Sequence, residues 1–576
     1  MLPLIKRTRV LVLAALLPLS SAFANEQAAI IDANSIFNPI VAENGMVVAQ
    51  ESRAANVGLA ILKQGGNAID AAVAVGFSLA VTLPKAGNIG GGGFMMVYLQ
   101  QQQKVVAIDY REMAPLAAHR DMYLDAEGEV DKQRSRYTHR AAGIPGTVAG
   151  LLMVLEKYGT MRRQQVLAPA IKLAREGFIL SPAMADEIAS RRQQLSRSNA
   201  GRAMFFKANG DAYQAGERFY QKDLAWSLEQ ISQYGSDAFY RGEVAARLVA
   251  DAKKNDGLWT LQDFADYQAV QRQPIHGRYR GIDVYSMPPP SSGGIHLVQM
   301  LNTLENFDLS KLGHNSADYL QLLTESMKYA YADRSVYLGD PDFTDIPKAK
   351  LTSKAYGQIL AQQIDIDQAK PSTAIKPGAN LPYESHDTTH FSVADKAGNM
   401  VSNTYTINFS YGSGIVAEGT GILLNNEMDD FSAKPGTPNA YGLLGGEANA
   451  IAPRKRPLSS MTPTLLLKDG RPYIATGSPG GSRIINVVLQ IILNTVDFKM
   501  NIADAASRPR IHHQWFPDVI QYEQGMSPDT LHLLKSKGQS LKQSTVLGNT
   551  QSIMVVDGRY EGAADPRRYG STAVGY

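Results

Sequence analysis

Residues 386–392 read His-Asp-Thr-Thr-His-Phe-Ser, and Thr388 is the residue in that run with the most chemistry open to it. A threonine hydroxyl in mid-chain is a poor nucleophile. It becomes a good one when the chain is cut just before it, because the freed α-amino group can serve as its own base. Phe391 to Ala394 reads as a strand, residues 395–399 as a turn and Met400 to Thr406 as a second strand, so Thr388 stands at the head of a β-hairpin. Residues 352–387, rich in Gln, Asp, Lys, Ala and Pro, are the weakest segment for regular structure and read as an exposed connection. A loop-like segment ahead of a strand-borne threonine is where a cleavage belongs.

Other motifs fall short of chemistry. No H-E-x-x-H occurs. His512 and His513 are adjacent, so in a strand they face opposite ways and read as core or surface histidines. Thr476-Gly477-Ser478-Pro479-Gly480 has Thr where a G-x-S-x-G elbow needs Gly, and Pro after the Ser. Gly90 to Gly93 precedes a strand instead of opening a helix, which favours close backbone packing over a dinucleotide fingerprint.

The elements that must position Thr388 are legible in outline. Ala54 to Lys63 reads as a helix closed by Gly65-Gly66, and Asn67 caps a second helix, Ala68 to Leu83. After the glycines, Phe94 to Leu99 and Val105 to Tyr110 read as paired strands. Residues 146–275 have helical spacing. A second glycine loop, Pro288 to Gly294, precedes another helix, and from Thr388 onward strands predominate.

Composition limits the function classes. Lys6, Arg7 and Arg9, the apolar run Val10 to Leu17 and Ala22-Phe23-Ala24 form a secretory signal over residues 1–24, too short in its apolar core to span a bilayer. The chain has 57 basic and 54 acidic residues, and its net charge of +3 lies in that segment. The remainder is neutral, which points away from nucleic acid and anionic membranes. The absence of Cys rules out disulfides, thiol catalysis and Cys-ligated metals. A hydrophobic content of 44% permits a large core.

Six segments taken together resemble one family: Arg111 to Pro115, Thr388-Thr389-His390, Thr404 to Asn408, Gly421 to Phe431, Lys455 to Pro463 and Thr476 to Arg483. In order and spacing, from about residue 40 to the C-terminus, they are similar to γ-glutamyltranspeptidase, also called glutathione hydrolase. The resemblance implies an α+β fold, the four-layer αββα sandwich of N-terminal-nucleophile hydrolases. It implies self-cleavage between Asp387 and Thr388 into a large subunit, residues 25–387, and a small catalytic subunit, residues 388–576, intertwined as one domain. It implies an enzyme without metal or cofactor, which the signal segment would send to the periplasm, acting on γ-glutamyl substrates such as glutathione with water, amino acids or peptides as acceptors.

Residue roles carry over by motif. Thr388 is the nucleophile, and its freed amino group has an ordinary pKa of roughly 7.7–8.0, close to working pH. Thr406 is the second threonine that hydrogen-bonds it. The backbone N–H groups of Gly480 and Gly481 hold the oxyanion. Arg111, Ser459 and Ser460 take the α-carboxylate, and Asn408, Glu427 and Asp430 the ammonium. Residues 435–446 resemble a lid loop, with Tyr441 its aromatic. Retained Asp430 favours glutamyl over the glutaryl groups taken by related acylases. Two other readings stay open: a β-lactam side-chain acylase on the same fold, and an exported binding protein that never processes.

Overall fold

The computed structural model describes residues 35–375, 388–437, 439–440 and 443–576. The signal segment, Asp387 and Tyr441 lie outside the described residues. Of the unit Met1–Ile36 only Ser35 and Ile36 are described, and the fold is that of the unit Phe37–Tyr576.

Side-chain alternation builds the centre of this unit. Met46 and Val48 join one hydrophobic cluster and Val47 and Ala49 another. Phe94 and Met96 part from Met95 and Val97 in the same way. A strand with apolar residues on both faces must be covered on both. Here one face meets a second sheet and the other meets helices.

The first sheet runs Thr572–Gly575, Gly45–Ala49, Thr389–Asp395, Met400–Thr406, Gly92–Leu99, Lys104–Tyr110 and Val270–Arg272. The second runs Ile40–Ala42, Arg559–Ala564, Gln551–Val556, Arg471–Thr476, Thr464–Lys468, Ile282–Ser286 and Ile275–Tyr279. All their pairings are antiparallel. Helices Ser52–Lys63, Ala68–Thr82 and Thr147–Tyr158 pack in the cluster outside the first sheet. Gly293–Leu304, Ala317–Tyr337 and Ile484–Val496 pack with the second. The result is the αββα sandwich expected from the resemblance.

The hairpin after Thr388 is anchored by Asp395. One carboxylate oxygen closes its turn, accepting from Ala397 N at 2.9 Å and Asn399 N at 3.0 Å. The other accepts from Ala68 N at 2.7 Å, at the first turn of the Ala68–Thr82 helix. Asn67 caps that helix as expected, in a reciprocal box with Asp70.

Residues 352–387 depart in part from the expected irregular connection. Lys354–Ala361 is a helix capped by Ser353, and Ser372–Ala374 is a short 3-10 turn. Only Gly357, Leu360 and Ala361 of that helix are buried, so its polar composition hides the one face that packs on Gly293–Leu304. Residues 376–387 are outside the description. His512 and His513 are core residues with separate partners, Asn486 at 2.8 Å and Asp518 at 3.2 Å.

The Gly90–Gly93 run is a site of close backbone approach. A Cβ on Gly90 would overlap the Leu423 carbonyl oxygen, one on Gly91 the Thr406 carbonyl oxygen and one on Gly93 the Tyr405 side chain. Gly91→Ala is therefore expected to cost about 1–3 kcal/mol through overpacking. The measurement is the urea denaturation midpoint, and an unchanged midpoint would count against this contact.

Candidate active site

A small cavity is lined by Thr388, Thr406, Arg111, Glu427, Asp430, Ser459, Ser460 and Gly481. Arg334, Leu443, Leu458, Met461, Ser482 and Ile484 complete its wall. Eight of the residues singled out by sequence thus meet in one place. Asn408 and Gly480 are not among the lining residues, and Asp387 and Tyr441 fall outside the description.

Strand register brings the two threonines together. Thr389 faces Tyr405 in the hairpin, so one further step sets Thr388 opposite Thr406 on the same face. Thr388 is buried, only 4% exposed. The Thr406 hydroxyl accepts the Asn408 N–H at 2.9 Å. Asn408 has φ 72°, and its amide donates to Asn426 O at 2.8 Å. That side-chain bond holds the turn after the strand.

Arg111 follows the Lys104–Tyr110 strand and is wholly buried. Its N–H donates to Asp109 at 3.0 Å and its carbonyl accepts from Tyr267 OH at 2.8 Å. Asp109 is itself held by Arg272 at 2.7 Å and Arg456 at 2.8 Å. Within the side chain, Nε donates to Pro457 O at 3.1 Å, Nη1 to Glu427 and Nη2 to Asp430. Sequence alone assigned the cation to a ligand carboxylate and the two anions to a ligand ammonium. The structure joins all three directly.

Asn425 places the acidic turn. Its Oδ1 accepts from Glu427 N and Gly143 N, both at 3.0 Å, and its Nδ2 donates to Gly90 O at 2.9 Å. Glu112 stands behind the cluster, 3.5 Å from Arg111. Burial pushes its carboxyl up to about 7 against the pull of Arg111. Burial likewise raises Glu427 and Asp430, opposed by the same guanidinium.

Across the cavity, Ser459 and Ser460 are tied to the Pro288–Gly294 loop. Ser459 N donates to Pro290 O and Ser292 N to Ser459 O, both at 2.8 Å. Gly480 at φ 135° and Gly481 at φ 56° occupy backbone conformations that favour glycine. Tyr331 OH donates to the carbonyl of Ser482, steadying that turn.

Arg334 was missed by the sequence reading. Burial lowers its guanidinium to about 10, which leaves it charged at neutral pH. A signal existed: in the Ala317–Tyr337 helix it shares a face with Met327, Ala330 and Tyr331, all buried. A charge on an apolar helical face is the pattern to look for.

The model of the γ-glutamyltranspeptidase family matches residues 54–575. The glutathione hydrolase proenzyme of Escherichia coli strain K12 is 54% identical over 542 residues, 94% of this chain and 93% of that protein. Among solved structures, γ-glutamyltranspeptidase of Helicobacter pylori aligns at TM-score 0.57 and 45% identity, covering 61% of this chain and 99% of that one. A cephalosporin acylase from Bacillus halodurans aligns at TM-score 0.84 and 27% identity, over 96% and 99% of the two chains.

The buried Glu112 carboxyl predicts a pH effect. Between about pH 4.5 and 7 the folded protein keeps a proton that the unfolded chain has released, so this group's contribution to stability falls as pH rises. Glu112→Gln removes the effect. Relative to the unsubstituted protein, the variant should gain roughly 1–3 kcal/mol between pH 5 and pH 8, read from thermal midpoints at both pH values. A constant gap would contradict the raised pKa.

Proposed function

The chain belongs to the γ-glutamyltranspeptidase family, and from that premise we propose how its residues perform the activity. The protein is an enzyme, a γ-glutamyltransferase and glutathione hydrolase made as a proenzyme. The observation that carries the residue assignment is the single cavity collecting Thr388, Thr406, Arg111, Glu427, Asp430, Ser459 and Ser460. Arg111 lies before the proposed cut and the others after it.

In maturation, the Thr388 hydroxyl attacks the Asp387 carbonyl. The acyl group moves from nitrogen to oxygen, and water hydrolyses the resulting ester. Residues 25–387 become the large subunit and 388–576 the small one. The new α-amino group then takes the proton of the Thr388 hydroxyl as that oxygen attacks the γ-carbonyl of a glutamyl donor. Thr406 orients the hydroxyl, and the N–H groups of Gly480 and Gly481 stabilise the oxyanion, a contribution of order 10²–10³ in rate per donor. The leaving amine departs with a proton. Water resolves the acyl-enzyme to glutamate, and an amino acid or peptide amine gives transpeptidation.

The Arg111 cluster suits a zwitterionic head group. A ligand carboxylate can take over part of the guanidinium while its ammonium donates to Glu427 or Asp430. Each displaced charge meets an opposite one, so none is left buried and unpaired. Ser459 and Ser460 add hydroxyl donors for the carboxylate, and Asn408 adds an acceptor for the ammonium. By motif, Tyr441 is the aromatic of a lid loop. Residues 1–24 direct export to the periplasm, and among the described residues no helix is long and apolar enough to cross a membrane.

Two experiments test this reading. The purified protein should run as two bands on a denaturing gel, with the smaller beginning at Thr388, whereas Thr388→Ala should remain one inactive chain. Two normal fragments from that variant would refute self-cleavage. The unsubstituted enzyme should cleave a γ-glutamyl anilide well ahead of a glutaryl anilide. Asp430→Asn should narrow that preference by about 10-fold or more, the scale of a lost charge-assisted hydrogen bond. A preference for glutaryl would reassign the enzyme as an acylase.

A further inference from the structure

The mechanism above makes no use of Arg334. This residue is 5% exposed and lines the same cavity as Arg111. Its guanidinium bonds are to hydroxyls: Nε donates to Ser292 Oγ at 3.0 Å and Nη2 to Ser460 Oγ at 3.3 Å. Among the described residues it has no ion-pair partner. A buried guanidinium that bonds no carboxylate and feels Asp430 only at longer range is costly, whereas Arg111 in the same cavity is bonded to two carboxylates. The attraction for an added anion therefore lies on the Arg334 side.

Hydrogen-bond direction sharpens this. A guanidinium only donates, so Ser460 Oγ accepts from Arg334 and its own proton is directed to another acceptor. Ser460 faces the cavity, where that acceptor would be a ligand oxygen. Ser292 passes the second bond on, donating from its hydroxyl to Ser459 O at 2.9 Å. Arg334 thus grips the Ser459-Ser460 segment twice, once through Ser460 itself and once through the Pro288–Gly294 loop.

We propose that Arg334 is a positioning residue that makes the site selective for donors with a free α-carboxylate, acting through the Ser460 hydroxyl. It adds positive charge to that of Arg111, which is shared between Glu427 and Asp430. This inference rests on the γ-glutamyl reading of the cavity.

Calorimetric titration of the processed protein separates the two. L-Glutamate carries both head-group charges, glutarate lacks the ammonium and 4-aminobutyrate lacks the α-carboxylate. Arg334→Gln should weaken L-glutamate and glutarate by about 10- to 100-fold and 4-aminobutyrate by less than about threefold. Arg334→Lys, which keeps the charge but loses the fork, should fall between. Equal weakening of all three ligands overturns the proposal. If the unsubstituted protein does not bind L-glutamate ahead of 4-aminobutyrate, the glutamyl reading itself fails before Arg334 is considered. Should Arg334→Gln not fold, Ser460→Ala must show the same ligand selectivity. Arg334→Lys must then add less to Ser460→Ala than it costs alone. Additive losses overturn the proposal.

Discussion

The Arg111 guanidinium holds two carboxylates out of water, and the shape of the cavity depends on that arrangement. Each of these charges alone would lose several kcal/mol of hydration on burial. The group persists because each Nη has a carboxylate, Nε has the Pro457 carbonyl, and the backbone on both sides is fixed by Asp109 and Tyr267. Asp109 is in turn neutralised by two further arginines. The cluster is a nested set of pairings in which removal of any member leaves a buried charge exposed to the wrong surroundings.

The same pairings bind together parts of the chain that lie far apart. Arg111 is 316 residues from Glu427 and 319 from Asp430. A cut ahead of Thr388 leaves the cation on one fragment and both anions on the other. The first sheet repeats this interlock, because Gly45–Ala49 and Gly92–Leu99 flank the hairpin that begins at Thr389. Separating the fragments would break the centre of a sheet and strand three buried charges at once. Cleavage therefore opens the chain without opening the fold.

Most of the strand framework was legible in sequence because alternation and turn chemistry are local. Met400–Thr406, Gly92–Leu99, Lys104–Tyr110 and the capped Ala68–Thr82 helix fall within two residues of their expected bounds. The helix Lys354–Ala361 was not legible, since its buried face is only a few small or apolar residues in a polar stretch. Arg334 was passed over for the opposite reason. A lone arginine in a long helix reads as a solvated charge until the neighbours that bury it are known.

By itself the sequence determined the place of Thr388 at the head of a strand and the absence of thiols, which follow from residue types and short-range spacing. Its motifs, through the family they resemble, proposed that threonine as nucleophile and a set of charges for a glutamyl head group. Only the tertiary structure decided which charges meet. It turned Arg111 towards Glu427 and Asp430, set Asn408 to holding its own turn, and left Arg334 facing the cavity among hydroxyls. Contacts between residues hundreds of positions apart depend on how two sheets and their helices close on one another. No local pattern encodes that closure, and the low-dielectric interior it creates sets how strongly each buried charge needs its partner.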